Sequence, residues 1–205
     1  MSKFDELHNL KDKMEKDDAL PLKKGATKLV FGSGNTEAKV LLIGEGPGRN
    51  EDATGLPFVG QAGKLLDKLL ILAGLERKKV FITNVVHHRP PENRDPLPNE
   101  IEAYGKYLDE IIKIINPKLI ITLGRFSMAK FLPDVFISNV HGKIFPIQFN
   151  SRQLTVLPMY HPAASLRNGT ILKSEEADFI NLKTMLPELL SAKSDIVGVQ
   201  QENLV

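Results

Sequence analysis

Four short apolar runs recur along the chain, and a stretch with a helix-like pattern separates each run from the next. An apolar run of about four to eight residues that ends at a turn is typical of a strand buried on both faces of a sheet. Strands that alternate with helices predict a mainly parallel sheet, because parallel neighbours need a long crossover connection. The predicted strands are residues 39–43, 80–83, 119–123 and 154–159.

Amphipathic periodicity predicts the helices. Apolar residues three and four positions apart, with charges between them, indicate helices at residues 63–74 and 98–115 and a last helix at about 175–190. Gly124 leads into a further short helix that ends near Leu132. The sequence therefore predicts an α/β fold with helices on both faces of a four-stranded sheet.

The remaining segments are expected to be less regular. Residues 135–148 are interpreted as irregular or hairpin structure around His141 and Gly142. Residues 1–18 are predicted to form a polar helix or arm, and residues 191–205 a flexible tail. The length of 205 residues fits one domain that spans the whole chain.

Composition excludes several classes of protein. The chain has no cysteine, which excludes disulfides, thiolate metal sites and cysteine nucleophiles. No apolar run approaches the roughly 20 residues of a membrane span, and the charged N-terminus has no signal-peptide core, so a cytoplasmic protein is expected. The net charge of +2 allows a local phosphate-binding face but does not indicate nucleic acid by itself.

Three motifs follow predicted strands directly. A Gly-rich turn and the Pro57–Gly60 loop follow the first strand, Asn84 follows the second, and His161 follows the fourth. Ligands of parallel sheets bind outside the carboxyl ends of the strands. The three motifs are therefore expected to meet in one pocket.

The Gly-rich turn combines a close backbone approach with acidic side chains. Gly46, Pro47 and Gly48 form a tight turn that a ligand could approach, although a plain strand-to-helix turn would use the same residues. Glu45 and Glu51 lie in this loop, where a carboxylate could orient water or stabilise a positive charge on a sugar. Either acid could instead cap a helix or face solvent.

An aromatic ring, an amide and an imidazole complete the predicted pocket. Phe58 could stack on a planar base or plug the core. The amide of Asn84 offers the donor and acceptor that match the O4 and N3–H edge of a pyrimidine. A neutral His161 could donate to a carbonyl oxygen of a leaving base, or it could cap a turn. These groups point to hydrolysis of an N-glycosidic bond in DNA.

Basic side chains flank the motifs and are candidate ligands for DNA phosphates, although each by itself could be an ordinary surface charge. The backbone N–H groups at the start of the helix near Gly60 offer a further seat for an anion. The candidate DNA-binding residues are Arg89, Arg94, Arg167 and Lys173.

In this order and spacing, the motifs resemble the uracil-DNA glycosylase superfamily, and most closely its family 4, the bacterial and archaeal type. The likeness runs from about Leu20 to about Leu190. It implies a three-layer αβα sandwich around a four-stranded parallel sheet. It also implies that Phe58 stacks on a flipped uracil, Asn84 binds its edge and His161 stabilises the charge on O2. The likeness rests on residues 30–35, 44–48, 57–60, 89–94 and 161–168.

The chain departs from that family at its metal site. Members of family 4 typically bind a [4Fe-4S] cluster through four cysteines, and the matching positions here are Asp17, Leu20, His88 and Tyr104. The protein is therefore expected to lack the cluster and to need no other cofactor. Leu20 and Tyr104 are expected to form an apolar plug that joins the N-terminal segment to the helix after Pro98.

Two variations on this chemistry concern a substitute metal and a covalent link to DNA. Asp17 and His88, with or without His87, could hold a substitute metal such as Zn or Fe. Arg89 follows His88 directly, so the histidine-containing insertion of relatives that link covalently to DNA is absent. Ordinary hydrolysis is therefore expected.

The sequence thus predicts a monofunctional glycosylase that removes uracil from DNA in base excision repair and acts as a monomer. No lysine lies within the three motifs, so lyase chemistry has no evident nucleophile. Two alternatives stay open: a glycosylase for another deaminated or modified base, and a non-catalytic DNA-binding or replication-accessory module. Uracil-containing DNA is the expected partner, and replication or repair proteins are further candidates.

Overall fold

The computed structural model describes residues 1–191, in which six strands form one sheet between layers of helices. The strands are β1 (Ser33–Gly34), β2 (Val40–Gly44), β3 (Phe81–Asn84), β4 (Leu119–Leu123), β5 (Phe145–Phe149) and β6 (Arg152–Met159). The helices are α1 (Lys3–Lys16), α2 (Arg49–Thr54), α3 (Gln61–Leu72), α4 (Pro98–Ile115), α5 (Arg125–Ala129), α6 (Ile137–Val140), α7 (Pro162–Ser165) and α8 (Gly169–Ser191).

The order of strands in the sheet is β1-β3-β2-β4-β6-β5. The four inner strands β3, β2, β4 and β6 run parallel, and these are the four strands that the sequence predicts. Strands β1 and β5 extend the sheet at its two edges by antiparallel pairing. The predicted parallel core is therefore confirmed, whereas the predicted number of four strands is too low by these two edges.

The hairpin at one edge lies later in the chain than predicted. Strand β5 joins β6 through Asn150 and Ser151, which have left-handed φ values of 45° and 62°. His141 and Gly142, where the sequence placed a hairpin, instead follow the short helix α6. Exposed Pro146 lies on the outer strand, where a missing N–H costs no ladder hydrogen bond.

Several helix boundaries differ from the predicted ones, among them the end of α5, which lies at Ala129 rather than near Leu132, and the segments at the chain ends are now located. Helix α8 begins at Gly169, six residues before the predicted start, because the Asn168 side chain accepts a 2.9 Å hydrogen bond from the N–H of Thr170. Helix α3 begins at Gln61 rather than at residue 63. The segment predicted as a polar helix or arm contains α1, and the predicted tail lies outside the described residues apart from Ser191.

Apolar side chains fill both faces of the sheet, as expected of a three-layer sandwich. Along β2, Leu41 and Ile43 point into a cluster shared with α1 and α4, and Val40 and Leu42 point into a second cluster shared with α3 and α8. The alternation follows from the two-residue period of a strand. Within residues 1–191, no helix is both long and apolar enough to span a membrane.

Candidate active site

A cleft of about 310 Å³ opens at the carboxyl ends of β2, β3 and β6. Its volume lies at the small end of the range for small-molecule sites. Two of the predicted residues lie outside its lining: Arg89, whose Nε donates to Asn93 Oδ1 at 2.7 Å, and Lys173, which is exposed on α8. The predicted residues that line the cleft are Glu45, Gly46, Pro47, Gly48, Glu51, Phe58, Asn84, Arg94, His161 and Arg167.

Because Gly44 has no side chain, Asn84 and the ring of Phe58 can lie close together at the end of β2. Gly44 at the end of β2 is in register with Asn84 at the end of β3. A Cβ atom on Gly44 would lie 2.7 Å from the Phe58 ring and even closer to Asn84 Oδ1. Asn84 is 2% exposed, borders the cleft and has no side-chain hydrogen bond to any other described residue. Its amide is therefore available to a ligand.

The backbone of Phe58 is held in an unusual conformation. Its φ angle is 51°, in the left-handed region that residues with a Cβ rarely adopt. Its carbonyl oxygen packs so closely on Gly63 in the first turn of α3 that a Cβ there would collide with it. The ring is part of the apolar cluster beside α3 and also borders the cleft, so it is both a core residue and a wall of the site.

His161 is fixed by its own helix. Its Nδ1 accepts a 3.1 Å hydrogen bond from the N–H of Ala163, so the side chain caps α7. Burial lowers the pKa of His161 to about 4, and nearby Glu51 opposes that effect only in part. A neutral imidazole whose Nδ1 is an acceptor must carry its proton on Nε2. The ring lies 5.6 Å from that of Phe58, so the cleft contains a neutral N–H donor beside an aromatic wall.

The two acidic residues of the Gly-rich loop have different surroundings. Glu51 Oε1 accepts hydrogen bonds of 2.8 Å from the N–H groups of both Val59 and Gly60. Both N–H groups belong to the segment that leads into α3, so this carboxylate holds the loop that carries Phe58. Glu51 is therefore bound to backbone groups rather than exposed to solvent as an ordinary loop acid.

The carboxylate of Glu45 is held by residues 124–126, which the sequence did not connect to the site. Its Oε1 accepts a 3.0 Å hydrogen bond from the N–H of Phe126, and its Oε2 accepts none from residues 1–191. Burial raises the pKa of Glu45, and the nearby Arg125 guanidinium opposes this. Gly124 has a φ of 104°, and a Cβ there would collide with the carboxylate. The one sequence signal that could have revealed this contact with Glu45 was Gly124, a glycine directly after a predicted strand.

Residues 90–96 form a wall of the cleft, and of these the sequence had indicated only Arg94 as a candidate site residue. The two guanidinium nitrogens of Arg94 bond to the two carboxylate oxygens of Glu100 at 2.8 and 2.6 Å. Asp95 forms an ion pair with Arg125. Both pairs anchor the wall, so the charge of Arg94 is largely neutralised. Arg167, in contrast, is exposed at the rim and has no acidic partner among the described residues.

Comparison with known proteins identifies the family of the chain. A family model described as the Uracil DNA glycosylase superfamily matches residues 31–183. The chain belongs to the uracil-DNA glycosylase superfamily.

Three proteins named Type-4 uracil-DNA glycosylase are similar to the chain over most of their length. The protein from Archaeoglobus fulgidus is 44% identical over 164 residues, which cover 77% of this chain and 82% of that protein. The protein from Sulfurisphaera tokodaii is 42% identical and covers 89% and 86%. The protein from Saccharolobus solfataricus is 43% identical and covers 93% and 89%.

The iron–sulfur cluster that this resemblance implies does not fit the residues present. Asp17 Oδ2 accepts hydrogen bonds from Lys106 Nζ at 2.8 Å and from the Tyr107 hydroxyl at 2.7 Å. The Tyr104 hydroxyl is 2.7 Å from His88 Nδ1. These positions have no thiolate, Leu20 has no ligand atom, and Asp17 Oδ2, the Tyr104 hydroxyl and His88 Nδ1 are engaged by protein groups. In the described part of the chain, no three His, Asp or Glu side chains are grouped to hold a metal ion.

The segment before β1 is held to α4 at the same place. Leu20 and Tyr104 are both buried in the apolar cluster beside α4. The hydroxyl of Tyr104 pairs with His88, and buried His87 lies within 3.2 Å of the carbonyl oxygens of Val30 and Phe31. The shared apolar cluster and the hydrogen bonds of Asp17 to Lys106 and Tyr107, rather than a purely apolar plug, thus join the N-terminal segment to α4.

Proposed function

We propose that this protein is a monofunctional DNA glycosylase that hydrolyses the N-glycosidic bond of uracil in DNA and leaves an abasic site for base excision repair. The observation that carries the proposal is the neutral His161, whose Nδ1 is occupied by a backbone N–H and whose Nε2–H is free to donate at the cleft. The similarity to proteins named Type-4 uracil-DNA glycosylase supports the same activity.

The cleft accounts for binding of a uracil that has left the base stack. The Asn84 amide can donate to O4 and accept from N3–H, and it lacks a competing partner among the described residues. The Phe58 ring offers an apolar face to the flat base. Removing a base from the duplex costs a few kcal/mol, and these contacts offset that cost.

Breakage of the bond between C1′ and N1 leaves positive charge on the sugar and negative charge on uracil. His161 Nε2–H donates a hydrogen bond to O2 and stabilises the anion as it forms. Glu45 faces the opposite charge: its unpartnered Oε2, when ionised, can stabilise the cation and orient water towards C1′. As the water oxygen bonds to C1′, the same carboxylate can accept the proton that the water loses. Glu51 acts indirectly, by holding the loop that carries Phe58, because two backbone N–H groups of that loop already bind its Oε1.

Basic residues around the cleft would hold the DNA backbone. Arg167 is the best placed of the four candidates, because it lines the rim and has no acidic partner within residues 1–191. Arg94 lines the cleft but is paired with Glu100, and Arg89 and Lys173 lie further out.

Release of free uracil by metal-free protein tests the proposal. Purified protein treated with EDTA is expected to release uracil from an oligonucleotide that contains one uracil, and to leave the matched thymine oligonucleotide intact. The separated products are quantified in a single-turnover assay. Release from hypoxanthine or a substituted uracil but not from uracil would overturn the assigned substrate. Tight binding of uracil-containing DNA without release of any base would overturn the assigned activity.

Replacement of Asn84 by alanine is expected to slow uracil release by roughly 10- to 100-fold, because hydrogen bonds to the base worth about 1–3 kcal/mol are lost. The free energy of unfolding should change little, since the amide bonds to no other described residue. Exposed Asn9 on α1 supplies the control variant Asn9→Ala, which is expected to match the wild type. A wild-type rate for Asn84→Ala would place the base elsewhere.

A further inference from the structure

The one-turn helix α7 connects two residues of the cleft, His161 before it and Arg167 after it. It packs against α3 and α8. At its N-terminus, the Ala163 N–H donates to His161 Nδ1. At its C-terminus, the buried Ser165 hydroxyl donates to Glu175 Oε2 in α8. The direction in which the Nε2–H of His161 points therefore depends on the position and orientation of α7.

Glu175 is an unusual residue for the inside of a protein. Its side chain is 0% exposed, and its second oxygen, Oε1, is buried without a hydrogen-bond partner among the described residues. An ionised carboxylate in that position would leave a charge and an acceptor unsatisfied, at a cost of several kcal/mol. A neutral carboxyl group avoids the charge and still accepts the Ser165 hydroxyl.

The charges around Glu175 also favour its neutral form. Burial raises the pKa of Glu175 to about 7; the Ser165 hydrogen bond opposes this, and Asp178 and Glu176 in α8 add to it. Asp178 is itself bound at 2.6 Å to Nδ1 of His141, whose ring lies against Tyr160. No cation among the described residues forms an ion pair with Glu175.

We propose that Glu175, in its neutral form, is a positioning residue that holds α7 and so keeps His161 aimed at the base. The inference rests on the proposed function for its kinetic consequence, since it concerns the same imidazole. When Glu175 ionises at higher pH, its carboxylate moves out of its buried position beside Asp178 and towards solvent. The bond to Ser165 is then lost, and α7 is free to shift.

The pH dependence of uracil release tests this inference. In wild-type protein, the maximal single-turnover rate is expected to fall roughly tenfold between pH 6 and pH 8.5, because small misplacements of a catalytic group are costly. His161 is neutral throughout this range and does not contribute to the fall. Glu175→Gln is expected to keep the rate of the wild type at pH 6 and to lose the fall at higher pH, because an amide accepts the same hydrogen bond at every pH.

Two further variants test the positioning role of Glu175. Ser165→Ala removes the hydrogen bond from the other side and is expected to show a low rate that no longer depends on pH. Exposed Glu188 on the same helix supplies the control Glu188→Gln, which should follow the wild type. A wild-type profile without the fall, or a Glu175→Gln profile with the same fall, would overturn the positioning role.

A spectroscopic readout separates this inference from the proposed function. The ¹⁵N shifts of the His161 ring report which nitrogen carries the proton. Below pH 7 they should show the Nε2–H form in wild-type protein; above pH 7 they should show exchange between both forms, which Glu175→Gln abolishes. Absence of uracil release with this pH-dependent signal would contradict the function alone. Unchanged His161 shifts across the range would contradict the role of Glu175.

Discussion

Replacement of His161 by alanine is expected to lower the single-turnover rate of uracil release by a factor on the order of 10²–10³, the usual loss when one donor to a developing anion is removed. The large effect follows from geometry, because Nδ1 is occupied by the Ala163 N–H and the remaining proton is on Nε2. The free energy of unfolding should fall by only about 1 kcal/mol, the cost of losing a helix cap.

The matched control is His8→Ala, which removes an exposed imidazole from α1 and is expected to leave the rate unchanged. Both variants are compared with the wild type in the single-turnover assay and by urea unfolding. A His161→Ala rate within a few-fold of the wild type would show that another group stabilises the leaving base.

The pH dependence of stability gives a second measure of the His161 site. The pKa of His161 is lowered from 6.5 to about 4, so between these values the unfolded chain binds the proton and the folded chain does not. The contribution of this group to the free energy of unfolding is therefore full above about pH 6.5 and is lost as the pH falls towards 4. His161→Ala should remove that part of the acid sensitivity.

Replacement of Gly63 by alanine is expected to destabilise the protein by about 3 kcal/mol, the upper part of the range for an overpacked site. The added Cβ would collide with the carbonyl oxygen of Phe58, a backbone atom that cannot rotate away. The segment that carries Phe58 must then shift, so uracil release should fall as well.

Gly105 supplies the control, because it also lies inside a helix but has nothing within 4 Å of the position of a Cβ. Gly105→Ala is expected to stabilise the protein by about 0.5–1 kcal/mol, since alanine loses less backbone entropy in a helix than glycine does. Urea unfolding measures both variants. A similar free-energy change in the two variants would contradict the close contact between α3 and Phe58.

The strands that could be predicted are those whose apolar pattern is independent of their partners. Buried parallel strands such as β2 and β4 are continuous apolar runs. Such a run indicates by itself a strand that is covered on both faces of the sheet. Strand β1 has only two residues, and β5 alternates between half-buried and exposed residues; each depends on pairing with a neighbour, β3 or β6. Their own sequences contain little signal for such pairing.

Residues of the cleft were predictable where they lie at or just after the end of a strand. Asn84 is the last residue of β3 and His161 lies two residues after β6, so both reach the sheet edge by topology. The support of Glu45 by Phe126 and the wall formed by residues 90–96 depend on chain segments that are distant in sequence. No local pattern encodes that proximity.

The sequence by itself determined the parallel core, the family and the set of chemical groups at one sheet edge, because strand patterns and strand ends are local properties. Tertiary structure alone decided how these groups can act. It set the proton of His161 on Nε2, assigned Glu51 to the backbone and left Glu45 Oε2 free, and it buried Glu175 beneath α7. Tautomer, ionisation and orientation depend on burial and hydrogen-bond partners, which exist only once distant segments pack together.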